Sequence, residues 1–361
     1  MNYLTDFRDQ TQAEILLERI RQLSRGLPQI NLMEVCGTHT MAISRFGLRK
    51  LLPDNIRLVS GPGCPVCVTP ECYLDQAIIL AEKKNVCLTT FGDMMRVPAS
   101  HSSLEESLTR GSRIIVVYSP LEALELARRS KQEVVFLAIG FETTAPAVAS
   151  VILLATRKKV KNFSVLVGHK LIPPAMDALL CDGQVKIDGF ICPGHVSAII
   201  GTKSYQFIPE KYGLPCVIAG FELIDILQSI VMLLEQIQKK DACVQIQYSR
   251  CVRPEGNEKA WRLVNLIFET GRTLWRGLGT LDDSGLYLRK DYSLWDACWK
   301  FDLPEMETSV RSSCRCGDVL KGLITPQQCP LFKKSCSPSR PKGPCMVSSE
   351  GTCAAYYRYE V

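Results

Sequence analysis

The chain has 361 residues, of which 46% are hydrophobic and 22% charged; this is long enough for more than one buried core and excludes a disordered or low-complexity protein. A formal charge of +6 is thinly spread, with short basic runs at 157–161 and 333–340, so no nucleic-acid partner is expected. The polar beginning (Asn2, Asp6, Arg8, Asp9) and the absence of an apolar run of spanning length argue against a signal peptide or membrane helix and for the cytoplasm, where seventeen cysteines point to metal or thiol chemistry rather than structural disulfides.

Residues 1–28 read as an amphipathic helical arm, with Ile15, Leu16, Ile20 and Leu23 on one stripe and Gly26 and Pro28 ending it. Short apolar strands then alternate with helical segments, with strands expected at 30–35, 56–59, 86–90, 114–118, 134–139, 164–167, 189–192 and 216–219. This is the pattern of parallel α/β sheets. The fold class expected is α/β: two parallel-sheet domains, 29–132 and 133–250, face a cleft, and a helical, cysteine-rich iron-sulfur domain follows from 251 to 361. Two strands end alike, A-I-G-F-E at 138–142 and I-A-G-F-E at 218–222, which fits either a duplicated unit or a shared strand-turn solution.

Nearly all the unusual residues fall just after a strand. In open α/β sheets that edge carries the ligand site, so the loops are expected to surround one cleft. The first, M-E-V-C-G-T-H-T at 33–40, puts Cys36 near the start of a helix over 38–46, with Thr38 as its cap. Free N–H groups and the helix dipole favour a thiolate there, the form that ligates metal, and His39 can share the ligand set. A small buried thiol beside a capping imidazole is the plainer alternative.

Cys64 and Cys67 form a C-x2-C in a Gly-Pro turn. The pattern suits a dithiol/disulfide better than structural zinc, because no second pair follows at matching spacing. Asp93, Arg96 and Glu142 lie in later strand-end loops, where orienting a metal ligand, relaying protons, binding a partner and simple ion pairing all fit them. Cys314, Cys316, Cys329, Cys336, Cys345 and Cys353 crowd a proline-interrupted tail. Four of these thiolates suffice for a [4Fe-4S] cluster. The loops between Cys329, Cys336, Cys345 and Cys353 are long enough to reach four separate irons, which makes those four the expected ligands and leaves Cys314 and Cys316 as an exchangeable dithiol. No phosphate-binding loop, dinucleotide fingerprint or H-E-x-x-H is present.

C-G-T-H at 36–39, G-P-G-C-P-V-C at 61–67, T-F-G-D-M-M-R-V-P at 90–98, G-F-E-T-T at 140–144, and the tail from C-R-C-G-D-V-L-K-G to G-P-C-M-V-S-S-E-G-T-C-A-A-Y-Y occur together and in order. From residue 30 onward the chain resembles the HypD family of hydrogenase maturation factors. The resemblance implies an assembly scaffold, a monomer within a hetero-complex, that works with a HypC-type small chaperone. The pair holds transient iron while cyanide, from a HypE-type donor, and carbon monoxide are attached to make the Fe(CN)2CO group of [NiFe]-hydrogenase. Cys36 and His39 then become the iron site, and Cys64 and Cys67 the redox-active thiols. Two other readings stand beside it: an iron-sulfur thiol/disulfide reductase acting on a partner protein, and a zinc-stapled binding module.

Overall fold

A computed structural model describes residues 6–305 and 313–360; the first five residues of the expected arm lie outside it. The strands are β1 (Ile30–Glu34), β2 (Ile56–Ser60), β3 (Val86–Thr90), β4 (Ile114–Val116), β5 (Glu133–Ala138), β6 (Phe163–Val167), β7 (Gly189–Pro193), β8 (Cys216–Ala219), β9 (Val244–Ile246), β10 (Phe268–Trp275) and β11 (Gly279–Leu288). One parallel sheet runs β2-β1-β7-β8-β9 and a second β4-β3-β5-β6. Their central strands are buried along their whole length, as parallel strands covered by helices on both faces must be. Among the described residues no helix is long and apolar enough to cross a membrane.

The sheets do not divide the chain at residue 132. Val86 to Thr89 pair with Glu133 to Phe136, so β3 and β5 share one sheet across that boundary, while β1 pairs with β7 far downstream. The chain leaves the first sheet after β2, builds the second, and returns at β7. Strand pairing is non-local and leaves no local composition signal to read.

The helix Gln10–Ser24 is a layer of the first sheet. Asp9 caps it, Arg19 pairs with Glu235 at 2.9 Å, and Ile20 and Leu23 enter the core shared by Leu32, Ile43 and Leu227. The last region is not purely helical, since after the helix Glu258–Ile267 β10 and β11 form an antiparallel hairpin. Trp275 anchors it, buried, donating from Nε1 to Ser284 Oγ at 2.9 Å and stacked on Phe141. The tail has no separate core: Cys316, Cys329, Cys345 and Cys353 pack with Met33, Val35, Cys67 and Phe190 under the first sheet.

Candidate functional site

β1 ends one residue short of Cys36, whose extended backbone (φ −158°, ψ 126°) makes it, and not Thr38, the cap of the helix Gly37–Arg45. Backbone N–H groups of His39 and Thr38 point at its sulfur, as expected of a helix start. The expected thiolate is nevertheless not favoured in the chain alone. Burial pushes the Cys36 thiol up to about 12, and the His39 and Thr38 N–H groups only partly offset it, with the Glu350 and Glu34 carboxylates adding to the rise. The Thr38 hydroxyl donates to Glu350 Oε1 at 2.6 Å, tying this loop to the tail. The His39 ring is fully buried and lies against Phe221, with Nε2 2.9 Å from the Gly220 carbonyl. Nε2 therefore carries the proton, and Nδ1, which has no partner, keeps its lone pair. Burial lowers this imidazole to about 4.

The C-x2-C turn is built directly against Cys36. Gly37 N–H donates to Gly63 O at 2.9 Å and Gly61 N–H to Glu34 O at 2.8 Å. A Cβ on Gly63 would stand 2.1 Å from the Cys36 nitrogen, so only glycine lets the two loops approach this closely. Cys64 caps the short helix Pro65–Val68, and Cys67 Sγ donates to Cys64 Sγ at 2.7 Å.

From that pair a line of neighbouring thiols runs into the tail. Cys67, which donates to Cys64, neighbours Cys345; Cys345 neighbours Cys316, and Cys316 neighbours Cys314. Cys345, one of the four expected cluster ligands, thus neighbours Cys67 as well as Cys353. Cys353 also lies in the fields of Cys314, Cys316, Cys336 and Cys329, and Cys336 in those of Cys314 and Cys329. Lys342 N–H donates to Cys336 Sγ at 3.3 Å, and the Gly343 N–H also bonds it. Gly343 is a cradle position: a Cβ there would meet the Cys314 sulfur at 2.5 Å.

Asp93 and Glu142 are brought to the site's edges in different ways. Asp93 accepts from Ser348 Oγ at 2.8 Å, and Arg96 donates to Pro338 O, so the 92–96 turn braces the tail. Glu142 is buried, accepts from Ile172 N–H at 2.9 Å, leaves Oε2 without a partner, and is raised to about 7 by burial. Sequence reading passed over Glu34, Glu350, Lys170 and Arg276. Glu34 is fully buried under the Cys36 loop, accepts from Thr40 Oγ1 at 2.6 Å, and is raised to about 7 by burial. Its place at the end of a strand, after the apolar Leu32 and Met33, was the available signal. Lys170 lies under the hairpin with its Nζ on Leu274 O at 2.8 Å and is lowered by burial to about 7. Arg276 binds Thr69 O, Pro98 O and Glu71, locking the hairpin onto the C-x2-C segment.

Among the described residues no three Cys, His, Asp or Glu side chains are arranged to hold one metal ion. A single ion at Cys36 and His39 would need ligands from outside the chain. Four thiols spread around a loop suit the wider span of a four-iron cube, and N–H groups aimed at Cys336 are the donors such sulfurs accept. The donor set of Cys314, Cys329, Cys336 and Cys353 fits the group.

The HypD family model, described as the hydrogenase formation hypA family, matches residues 11–360. Hydrogenase maturation factor HypD2 of Bradyrhizobium diazoefficiens is 46% identical, covering 99% of this chain and 97% of that protein. The hydrogenase maturation factors HypD of Azotobacter vinelandii and Cupriavidus necator are 47% and 45% identical over the same shares.

Proposed function

The chain belongs to the HypD family of hydrogenase maturation factors, and from that premise we propose that it is the scaffold on which, with a HypC-type chaperone, iron receives its cyanide and carbonyl ligands. The observation that carries the reading is the packing of Gly63 on the Cys36 backbone, which sets a soft ligand beside the end of the thiol line. Cys36 contributes the soft thiolate that low-spin iron with diatomic ligands prefers, and the charge of the arriving iron reverses the effect of burial on that thiol. His39 Nδ1 holds an unshared pair nearby, with the ring fixed by Gly220 O and Phe221. The chaperone supplies the missing ligands.

Cys314, Cys329, Cys336 and Cys353 are the residues to hold a [4Fe-4S] cluster. Bound there, it supplies electrons one at a time. Cys316, Cys345, Cys67 and Cys64 pass reducing equivalents by thiol exchange toward Cys36. A second reading, the iron-sulfur reductase of a partner's disulfide, uses the same line of thiols but has no role for the buried Cys36 and His39.

Anaerobic purification tests the proposal. A brown, iron-containing protein that binds the chaperone with Cys36 present and loses it in Cys36→Ala supports it; a colourless protein containing zinc and no iron overturns it.

A further inference from the structure

Arg276, Glu71, Pro70, Leu274, Gly277 and Gly317 enclose an open cavity of about 410 Å³, and the side chains of Cys314 and Cys316 stand in its wall. Nothing in the scaffold role described above uses this cavity. Its rim is set by a close meeting of two glycines: Gly277 has a left-handed backbone (φ +83°), and a Cβ there would lie 2.5 Å from the Gly317 Cα. Arg276 is fixed by Thr69 O, Pro98 O and Glu71, so a positive charge that cannot swing away stands beside the two sulfurs. Cys316 is 8% exposed, against 1% for Cys345, 3% for Cys64 and 0% for Cys67. Of the four thiols from Cys316 to Cys64, Cys316 alone borders this opening.

We infer that this cavity receives a low-molecular-weight thiol that resets the line of dithiols by exchange at Cys316. The inference rests on the proposed redox role of those thiols. After the line has passed two electrons to the iron carried at Cys36 and released two protons, Cys316 and Cys345 are joined as a disulfide. The incoming thiolate, drawn by Arg276, attacks Cys316 Sγ; the Cys316–Cys345 bond breaks, and Cys345 leaves as a thiolate and takes up a proton. A second thiolate attacks the bound thiol's sulfur, releasing Cys316 and a free disulfide. Two small thiols are oxidised and one protein disulfide is reduced, with two protons passing to the cysteines. A tripeptide thiol matches the cavity in size, and the glycine rim lets its backbone come close.

Trapping the first step tests this. The full-length Cys345→Ser protein, purified without oxygen, is exposed to oxidised glutathione and mapped by mass spectrometry; the exposed Cys181 serves as a control within the same molecule. Glutathione is expected on Cys316 before Cys64 or Cys67. Filling the cavity by Leu274→Trp is expected to slow that labelling at least about tenfold while leaving Cys181 unchanged. Oxidised thioredoxin, too large for the cavity, is expected to form no mixed disulfide at Cys316, which gives a measurement that does not depend on the filled variant folding. First labelling at Cys64 or Cys67, Cys316 labelling indifferent to Leu274→Trp, or reaction with thioredoxin as fast as with glutathione overturns the inference. Iron and visible absorption measured on the same preparation judge the cluster separately, so that failure of the scaffold reading is told apart from failure of the port.

Discussion

Cys345 lies beside Cys67, joining the cysteine-rich tail to the C-x2-C turn beside Cys36. On the proposed assignment the tail thiols fall into two groups, and the groups differ in what their loss should do. In Cys345→Ser, iron content and the charge-transfer absorbance are expected to stay near wild type. In Cys314→Ala, Cys329→Ala, Cys336→Ala and Cys353→Ala both are expected to collapse, since three thiolates leave one iron of a cube open. Loss of the absorbance in Cys345→Ser with retention in Cys314→Ala would restore Cys345 as a ligand.

Two motif glycines give opposite expectations. In Gly63→Ala the new Cβ meets backbone atoms of Cys36 and Val35 at 2.1–2.5 Å, contacts that no side-chain rotation relieves. Destabilisation by at least about 2 kcal/mol is expected in denaturant unfolding. Gly92→Ala meets only Val116 Cγ1 at 3.7 Å, ordinary contact, and is expected to stay within about 0.5 kcal/mol of wild type. Equal effects would mean that the Cys36 and C-x2-C loops are not held this close.

Glu142 makes a pH prediction. Burial raises its carboxyl from 4.5 to about 7, so between these values the folded chain binds the proton more tightly than the unfolded one. Stability from this group is therefore complete below pH 4.5 and falls as pH rises through 7, by as much as about 3 kcal/mol. Glu142→Gln cannot titrate. Across that window wild-type stability is expected to fall relative to the variant, as read from unfolding midpoints; parallel profiles would show that the carboxyl is not buried uncharged.

The strands between residues 56 and 219 were legible because each is a short apolar run bounded by turn residues, and the loops after them were legible as carriers of function. Sheet membership was not, since the pairing of β3 with β5 and of β1 with β7 depends on crossovers that leave no local trace. Glu258 to Ile267 form an amphipathic helix, yet nothing local announces that Phe268 begins a strand: its partner is Leu288, across the hairpin. At the site, Cys36, Cys64 and Cys67 were visible as motifs. The place of Cys345 was not, because a thiol's neighbours follow from how the tail folds back under the first sheet. Cys36 was expected as a favoured thiolate on the strength of the helix start alone, and burial, invisible in the sequence, outweighs those N–H groups.

Infrared spectroscopy of the anaerobically purified complex with its chaperone, recorded beside the visible spectrum for wild type and Cys36→Ala, tests most directly whether Cys36 and the tail serve two separate iron sites. Cyanide and carbonyl bands with cluster absorbance in the wild type, and the absorbance without the bands in Cys36→Ala, are the predicted result. Bands that persist in Cys36→Ala, or a cluster that disappears with them, would contradict it.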